Sequence, residues 1–245
     1  MATIRGNDDD NRVNGTDAAD RLFGMSGDDT ILGAGGDDTI DGGEGNDRID
    51  AGEGANRILA RSGNDVIDAG DGNDIIDAGE GNDIVRAGSG DNRITLGEGN
   101  DSSVSGGGRD TISAGDGNDT VWAGGGRDHI DAGEGDDHIH GQNGNDRISA
   151  HEGNDTLDGG RGNDTMTGGA GDDVFIWNGG KDRITDFEDD DDEIDVSAYA
   201  RFDSFADIRD AAVQSGDDVV IQAGTDRLVI EDLQLNQLSS DDFIW

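Results

Sequence analysis

Gly42-Gly43-Glu44-Gly45-Asn46-Asp47-Arg48-Ile49-Asp50 decides the fold of this chain, because its nine-residue pattern recurs in phase on both sides. Cut every nine residues from Gly6, the sequence falls into 19 units without a gap, ending at Ile176. The fourth position is Gly in 17 of the 19 and fails only at Asp9 and Ala18. The sixth is Asp in 16, with Asn11, Asn56 and Asn92 as exceptions, and the eighth is apolar in 18, with Ser103 as the exception. A phase held this long marks a repeat architecture, in which one unit cannot bury its apolar face alone and stacked neighbours do it together.

Each unit divides by chemistry. Its first six residues are Gly, Ala, Asn, Asp and Glu, residues that favour turns because Gly reaches positive φ without steric cost and Asn and Asp tolerate it. The last three, as in Thr39-Ile40-Asp41, alternate polar, apolar, polar, which reads as a very short strand with one inward side chain. Two such units close one coil, so strands of alternate units stack in two parallel sheets with the apolar row between them. The expected fold is all-β: a right-handed parallel β-roll solenoid over residues 1–176, with a small mixed cap over residues 177–245. Nineteen units make about nine coils, or roughly 45 Å at the ~4.8 Å strand spacing.

Composition narrows what such a solenoid can do. In 245 residues there are 44 Gly, no Pro, no Cys and 4% aromatics, with 58 acidic residues against 17 basic and a formal charge of −41. A chain this acidic and poor in large apolar groups would ordinarily be disordered, but disorder does not require isoleucine every ninth residue. Nucleic acid and anionic membranes are disfavoured as partners, since their phosphates would be repelled, and cations are favoured. No disulfide can brace the fold. The segment Met1-Ala2-Thr3-Ile4-Arg5-Gly6-Asn7-Asp8 has no apolar core of a conventional signal peptide, and no apolar run approaches the roughly 20 residues that span a bilayer.

The sixth-position carboxylates stack along the coils and repel one another, and a core one side chain deep cannot offset that alone. The candidate metal ligands are therefore Asp20, Asp29, Asp38, Asp47, Asp65, Asp74, Asp83, Asp101, Asp110, Asp119, Asp128, Asp137, Asp146, Asp155, Asp164 and Asp173. Carboxylates combined with loop carbonyls form a hard-oxygen environment, and flexible Gly-rich loops suit Ca²⁺ better than the strict octahedron of Mg²⁺. Pairing each unit with the unit two further on gives up to about 17 sites, and folding should be one event with binding. Asn56 and Asn92 each remove a charge on the edge that holds Asp74, and Ser103 removes an inward apolar group, so residues 87–104 are expected to be the weakest stretch.

These units resemble the RTX (repeats-in-toxin) family, whose repeat reads G-G-x-G-x-D-x-U-x with U a large apolar residue. The resemblance is close over residues 6–176. It implies Ca²⁺ held between turns two units apart by the sixth-position carboxylates and loop carbonyls. Beyond the repeats, Ile184-Thr-Asp-Phe187, Glu193-Ile-Asp-Val-Ser197 and Asp241-Asp-Phe-Ile-Trp245 are similar to the C-terminal region of RTX proteins such as serralysin-type proteases and mannuronan epimerases. That likeness implies a C-terminal type I secretion signal and an extracellular location. A chain without Pro would also avoid slow prolyl isomerisation on folding outside the cell.

In the tail, Ser204-Phe-Ala-Asp207 opens a capped helix expected to run through Gln214. Val219-Val-Ile221 and Leu228-Val-Ile230, flanking Ala223–Asp226, read as a hairpin. A solenoid needs such a cap because its last coil exposes an open sheet edge.

Catalytic patterns are missing. His151-Glu-Gly-Asn-Asp155 fails the zinc-protease pattern at its fifth residue, and there is no nucleophile elbow, phosphate-binding loop or EF-hand loop. His138 and His140 should face outward with Trp122 beside His140, as solvated strand residues. Outward Phe23, Leu32, Val66, Ile75 and Ile84 are candidates for a contact surface, although scattered exposed apolar residues are ordinary. Four readings of function follow. With the repeats starting so close to Met1, the first is a stand-alone, monomeric, non-enzymatic calcium-binding protein with a structural or interaction role; its partner could be an extracellular polysaccharide or a cell-surface component. The second is the non-catalytic secretion and stability module of a protease, lipase or alginate epimerase. Ice binding, the third, is disfavoured because the third-position row (Glu44, Glu53, Ser62, Asp71, Glu80) is acidic, not a row of Thr. A pore-forming toxin, the fourth, lacks its apolar segment.

Overall fold

A computed structural model describes residues 1–189 and 191–245. The period of the sequence is the period of the fold: every parallel strand of the repeat region pairs with the strand 18 residues on, as Leu22 does with Ile40 and Ile40 with Ile58 in one sheet, and Ile31 with Ile49 in the other. The described residues form two large sheets of 14 and 12 strands, together with a three-stranded patch. The solenoid has about eleven coils, two more than the nineteen units supply, because strands join it at both ends.

Eighth-position side chains line the interior, from Val13 and Leu22 to Phe175, none more than 2% exposed. The sequence reading assigned one inward residue to each unit, and the structure has two. First-position residues such as Ala51, Ala60, Ala69, Ala78 and Leu96 are also fully buried. Successive side chains on a strand alternate between its faces, so the residue two beyond the eighth position returns to the interior. Space there is short. A Cβ added at Gly42 would collide with the Asp47 carboxylate and crowd the Ala60 carbonyl oxygen, which is why this row is almost all Gly and Ala.

The two sheets are built differently. Strands of the larger sheet run six residues, as in Thr39–Glu44, Arg57–Ser62 and Ile75–Glu80, twice the expected three. Most of those in the other sheet keep three, as in Arg48–Asp50 and Val66–Asp68, with Ile84–Gly88 and Ser102–Ser105 longer. After these shorter strands the pairing includes isolated bridges, Gly35 with Glu53 and Gly107 with Gly125, and the patch of Gly125–Gly126, Asn143–Gly144 and Arg161–Gly162. Most of the turns take positive φ at the fourth position. Gly81 has φ +131°, and a Cβ there would strike the carbonyl oxygen of Gly63 one coil below. At the second position, Met25, Ala34, Arg61, Gln142 and His151 adopt positive φ without being glycine. Two of them also pair with an aspartate on the preceding coil, Arg61 Nε with Asp41 at 2.5 Å and His151 Nε2 with Asp131 at 2.9 Å.

The ladder does not stop at Ile176. Trp177-Asn-Gly-Gly180-Lys-Asp182-Arg-Ile184 is a further unit in phase, and Lys181–Ile184 extends the larger sheet beside Thr165 and Met166. Glu193–Asp195 extends the other beside Val174–Ile176, now 19 residues on. The chain then returns to both sheets. Asp226–Ile230 runs parallel to Lys181–Ile184, and Phe243–Ile244 parallel to Ile194–Asp195.

The expected hairpin is present as Asp218–Ala223 against Asp226–Ile230. The helix spans Phe205–Ala211 and stops short of Gln214, because Ala212–Ser215 pairs as a third antiparallel strand with 218–221. Its Ser204 hydroxyl bonds the Asp207 carboxylate at 2.7 Å instead of capping a backbone N–H. Trp177, wholly buried, meets Tyr199 in a tilted contact at 4.5 Å and stacks on Phe202 at 6.1 Å between ring centroids, filling the interior near the C-terminal end of the roll.

Candidate metal edges

The turns bring the sixth-position residues together in two files, one along each edge of the roll. The first edge carries Asn11, Asp29, Asp47, Asp65, Asp83, Asp101, Asp119, Asp137, Asp155 and Asp173. The second carries Asp20, Asp38, Asn56, Asp74, Asn92, Asp110, Asp128, Asp146 and Asp164. All are buried except Asn11. Within a file, after its first member, each Oδ1 accepts the backbone N–H of the file member 18 residues earlier: Asp29 N–H to Asp47 at 2.8 Å, Asp47 N–H to Asp65 at 2.6 Å, Asp128 N–H to Asp146 at 2.9 Å.

The other carboxylate oxygen has no such partner. Oδ2 of fifteen of these aspartates, all but Asp20, is buried without any hydrogen bond. An orphaned buried acceptor costs roughly 1–3 kcal/mol and more if charged, and native interiors hold few of them. Its surroundings deepen the cost. A Cβ built at Gly24 would meet both Asp29 Oδ2 and the carbonyl oxygen of Gly42, and one at Gly42 both Asp47 Oδ2 and the carbonyl oxygen of Ala60. Acceptor therefore stands beside acceptor with no donor between them. A proton, a donating water or a cation would relieve that arrangement, and of these a cation also offsets the charge; carboxylate with carbonyl oxygens is the donor set that Ca²⁺ prefers. Among the described residues, no three acidic or histidine side chains converge on one point, so side chains alone do not complete a site there.

The carboxyl groups respond as acids held in such a place must. Burial first, and then neighbouring carboxylates, push Asp65, Asp119, Asp128 and Asp164 up to about 7. Asp47, Asp83, Asp137 and Asp173 rise to about 6. Asp20 differs: the Ala2 N–H and the Thr16 hydroxyl lower it.

Two file members lie beyond the expected set. Asp182 continues the second edge by accepting the Asp164 N–H at 2.9 Å, and Asp192 continues the first by accepting the Asp173 N–H at 3.0 Å. Burial raises Asp182 to about 8. Its signal was in the sequence, since Gly180, Asp182 and Ile184 keep the phase; the extra residue before Asp192 hides that one. A second file runs along the first edge at the fifth position and in the opposite sense, Asn64 N–H bonding Asn46 Oδ1 at 2.8 Å and Asn82 N–H bonding Asn64 Oδ1 at 2.7 Å.

The remaining candidates do not assemble into a site. His140 stacks on Trp122 at 5.7 Å with planes 9° apart, as expected from the register. Ser149, His151 and Asp131 are neighbours, but the hydroxyl and the carboxylate both meet Nε2. A proton relay needs them on opposite ring nitrogens. Ile75 and Ile84 are 44% and 41% exposed, yet the five outward apolar residues divide between the two sheets, Phe23 and Ile75 on one, Leu32, Val66 and Ile84 on the other.

A parallel β-roll of Gly-rich turns flanked by files of buried aspartate defines a calcium-binding repeat protein. The RTX calcium-binding nonapeptide repeat matches the chain in nine windows of four copies each, from residues 5–40 to 149–184, which together leave no gap. The chain belongs to that family. No curated protein sequence matches it. Among solved structures, it is similar to the AlgE6R3 subunit of the mannuronan C5-epimerase from Azotobacter vinelandii, with 27% identity and a TM-score of 0.42 over 49% of this chain and 78% of that one. It is also similar to the extracellular lipase LipA from Serratia marcescens, with 20% identity and a TM-score of 0.39 over 91% of this chain but only 40% of the lipase.

Proposed function

We propose that this chain is a secreted, non-catalytic calcium-binding protein with a structural or interaction role, whose folding is driven by Ca²⁺ bound along the two edges. The observation that carries this reading is the set of fifteen orphaned Oδ2 atoms, each buried beside a file neighbour that engages only Oδ1. Bound Ca²⁺ supplies the positive charge those oxygens need. The protein's part is to present them: Oδ1 is fixed by the neighbouring N–H, the Gly-rich turn brings carbonyl oxygens close, and the apolar rows hold successive turns in register.

Sites of this kind hardly exist in the open chain, so binding free energy acts as folding free energy. Extracellular calcium modules work at about 10⁻⁴–10⁻³ M. A chain that stays open where calcium is scarce and folds where it is abundant suits export through a narrow channel, in keeping with the tail's likeness to type I-secreted proteins. No helix among the described residues is long and apolar enough to cross a membrane.

The test is a Ca²⁺ titration followed by far-UV circular dichroism, with Mg²⁺ as control. A cooperative gain of β signal specific to Ca²⁺ is expected. A chain that is equally folded at neutral pH in chelator would sink the proposal.

A further inference from the structure

The two edges are not equivalent, and the difference lies in the asparagines. Asn56 Oδ1 accepts the Asp38 N–H at 3.0 Å, as an aspartate in the file does. Its Nδ2 occupies the place of the second carboxylate oxygen and donates to the carbonyls of Gly54 at 3.1 Å, Ala69 at 3.3 Å and Gly52 at 3.4 Å. Asn92 repeats the pattern, with Oδ1 on the Asp74 N–H at 3.0 Å and Nδ2 on the Gly90 carbonyl at 3.2 Å. An amide carries two donors where a carboxylate carries none. The carbonyls that face an orphan oxygen elsewhere thus receive hydrogen bonds here, and the one oxygen of the side chain is already engaged. Neither asparagine leaves a buried side-chain atom unpartnered.

Three of the four file ends are closed as well. Asn11 Nδ2 donates to the Asp9 carbonyl at 2.6 Å and to Asn7 Oδ1 at 2.9 Å. Asp20 Oδ2 accepts the Thr16 N–H and hydroxyl at 3.0 and 2.7 Å, and Asp192 Oδ2 accepts the Glu188 N–H at 2.9 Å.

Resting on the reading above, we infer that the turns at Asn56 and Asn92 take no ion and are closed by the side-chain amide instead. The metal sites then form one unbroken run of nine along the first edge, Asp29 to Asp173, and a broken set of six along the second. On that second edge Asp38 and Asp74 stand singly on either side of Asn56, and Asp110, Asp128, Asp146 and Asp164 follow as a block after Asn92. The calcium requirement of the second edge is therefore concentrated in the C-terminal half of the roll, while the first edge requires the ion throughout.

Native mass spectrometry of the full chain at saturating Ca²⁺ tests this by counting bound ions. Asn56→Asp and Asn92→Asp should each add one ion to the wild-type number and the double variant two, and Asp74→Asn should remove one. An unchanged count in the Asn→Asp variants, or variants that no longer fold in Ca²⁺, overturns the inference while leaving the function reading in place. A wild-type chain that binds no Ca²⁺ at all overturns that reading and the inference with it.

Discussion

The backbone N–H of Asp47 donates to Oδ1 of Asp65 one coil further on, at 2.6 Å, while Oδ2 of Asp65 is buried with no partner. One carboxylate thus stitches two coils together and obstructs their folding, and a proton can remove the obstruction as well as a metal can. Burial and the neighbouring carboxylates of Asp83 and Asp47 raise Asp65 to about 7 from an ordinary 3.8, and Asp47 and Asp83 rise to about 6. The folded, metal-free chain therefore holds protons that the unfolded chain releases. The stability that these carboxyl groups contribute is fully present below about pH 4 and is lost as the pH rises through 6 and 7. In chelator the chain should show β structure at pH 4.5 and lose it by pH 7.5. Circular dichroism that does not change across that range would contradict the account.

Gly81 tests the turn. With φ at +131° and the Gly63 carbonyl in the way of a Cβ, Gly81→Ala should destabilise the calcium-loaded roll by about 1–3 kcal/mol. The observable is a lower Tm at fixed Ca²⁺, together with a higher Ca²⁺ midpoint. An unchanged Tm would mean that the stacking of turns is looser than described.

Ser103 tests the core. It stands in the ladder between Val85 and Val121, fully buried, with a hydroxyl that has no partner. Ser103→Val removes that orphan and restores the apolar row, and should stabilise the folded chain by about 1–3 kcal/mol. Calorimetry at saturating Ca²⁺ reads the sign directly, and a loss of stability would refute this view of the position.

Residues 87–104 should exchange their amide hydrogens faster than residues 114–173. Asn92 removes a site there and Ser103 an apolar anchor, and the strand register slips between Arg86 and Gly88 against 102–105. Local opening is easiest where fewest contacts hold. Equal protection in the two segments would remove the basis for a weak middle.

Trp177 tests the closure of the roll. Its ring fills the interior near the C-terminal end against Tyr199 and Phe202, so Trp177→Ala should cost about 3–5 kcal/mol. The loss should appear first in the tail, as proteolysis beyond residue 180, before the repeats themselves melt. Simultaneous loss of both would make cap and roll one cooperative unit.

Much of this was legible before any coordinates. The nine-residue phase, the 18-residue coil, the eighth-position row and the two files of aspartate follow from local spacing, because a short strand and a Gly-rich turn of constant length can stack in only one register. The same locality sets the limit. The second inward row at Ala51, Ala60 and Ala69 is invisible to a period that marks only large apolar residues, and the long strands of one sheet follow from neighbouring coils, not from any unit's own composition. The one-residue insertion before Asp192 breaks the phase on paper but not in space, and the return of Asp226–Ile230 and Phe243–Ile244 depends on pairing across tens of residues. The sequence alone determined that aspartates would crowd two edges and call for a cation. Only the tertiary structure decided which oxygens are left without a partner and where an asparagine amide already does the ion's work, since hydrogen-bond satisfaction belongs to atoms packed together and not to residues in order.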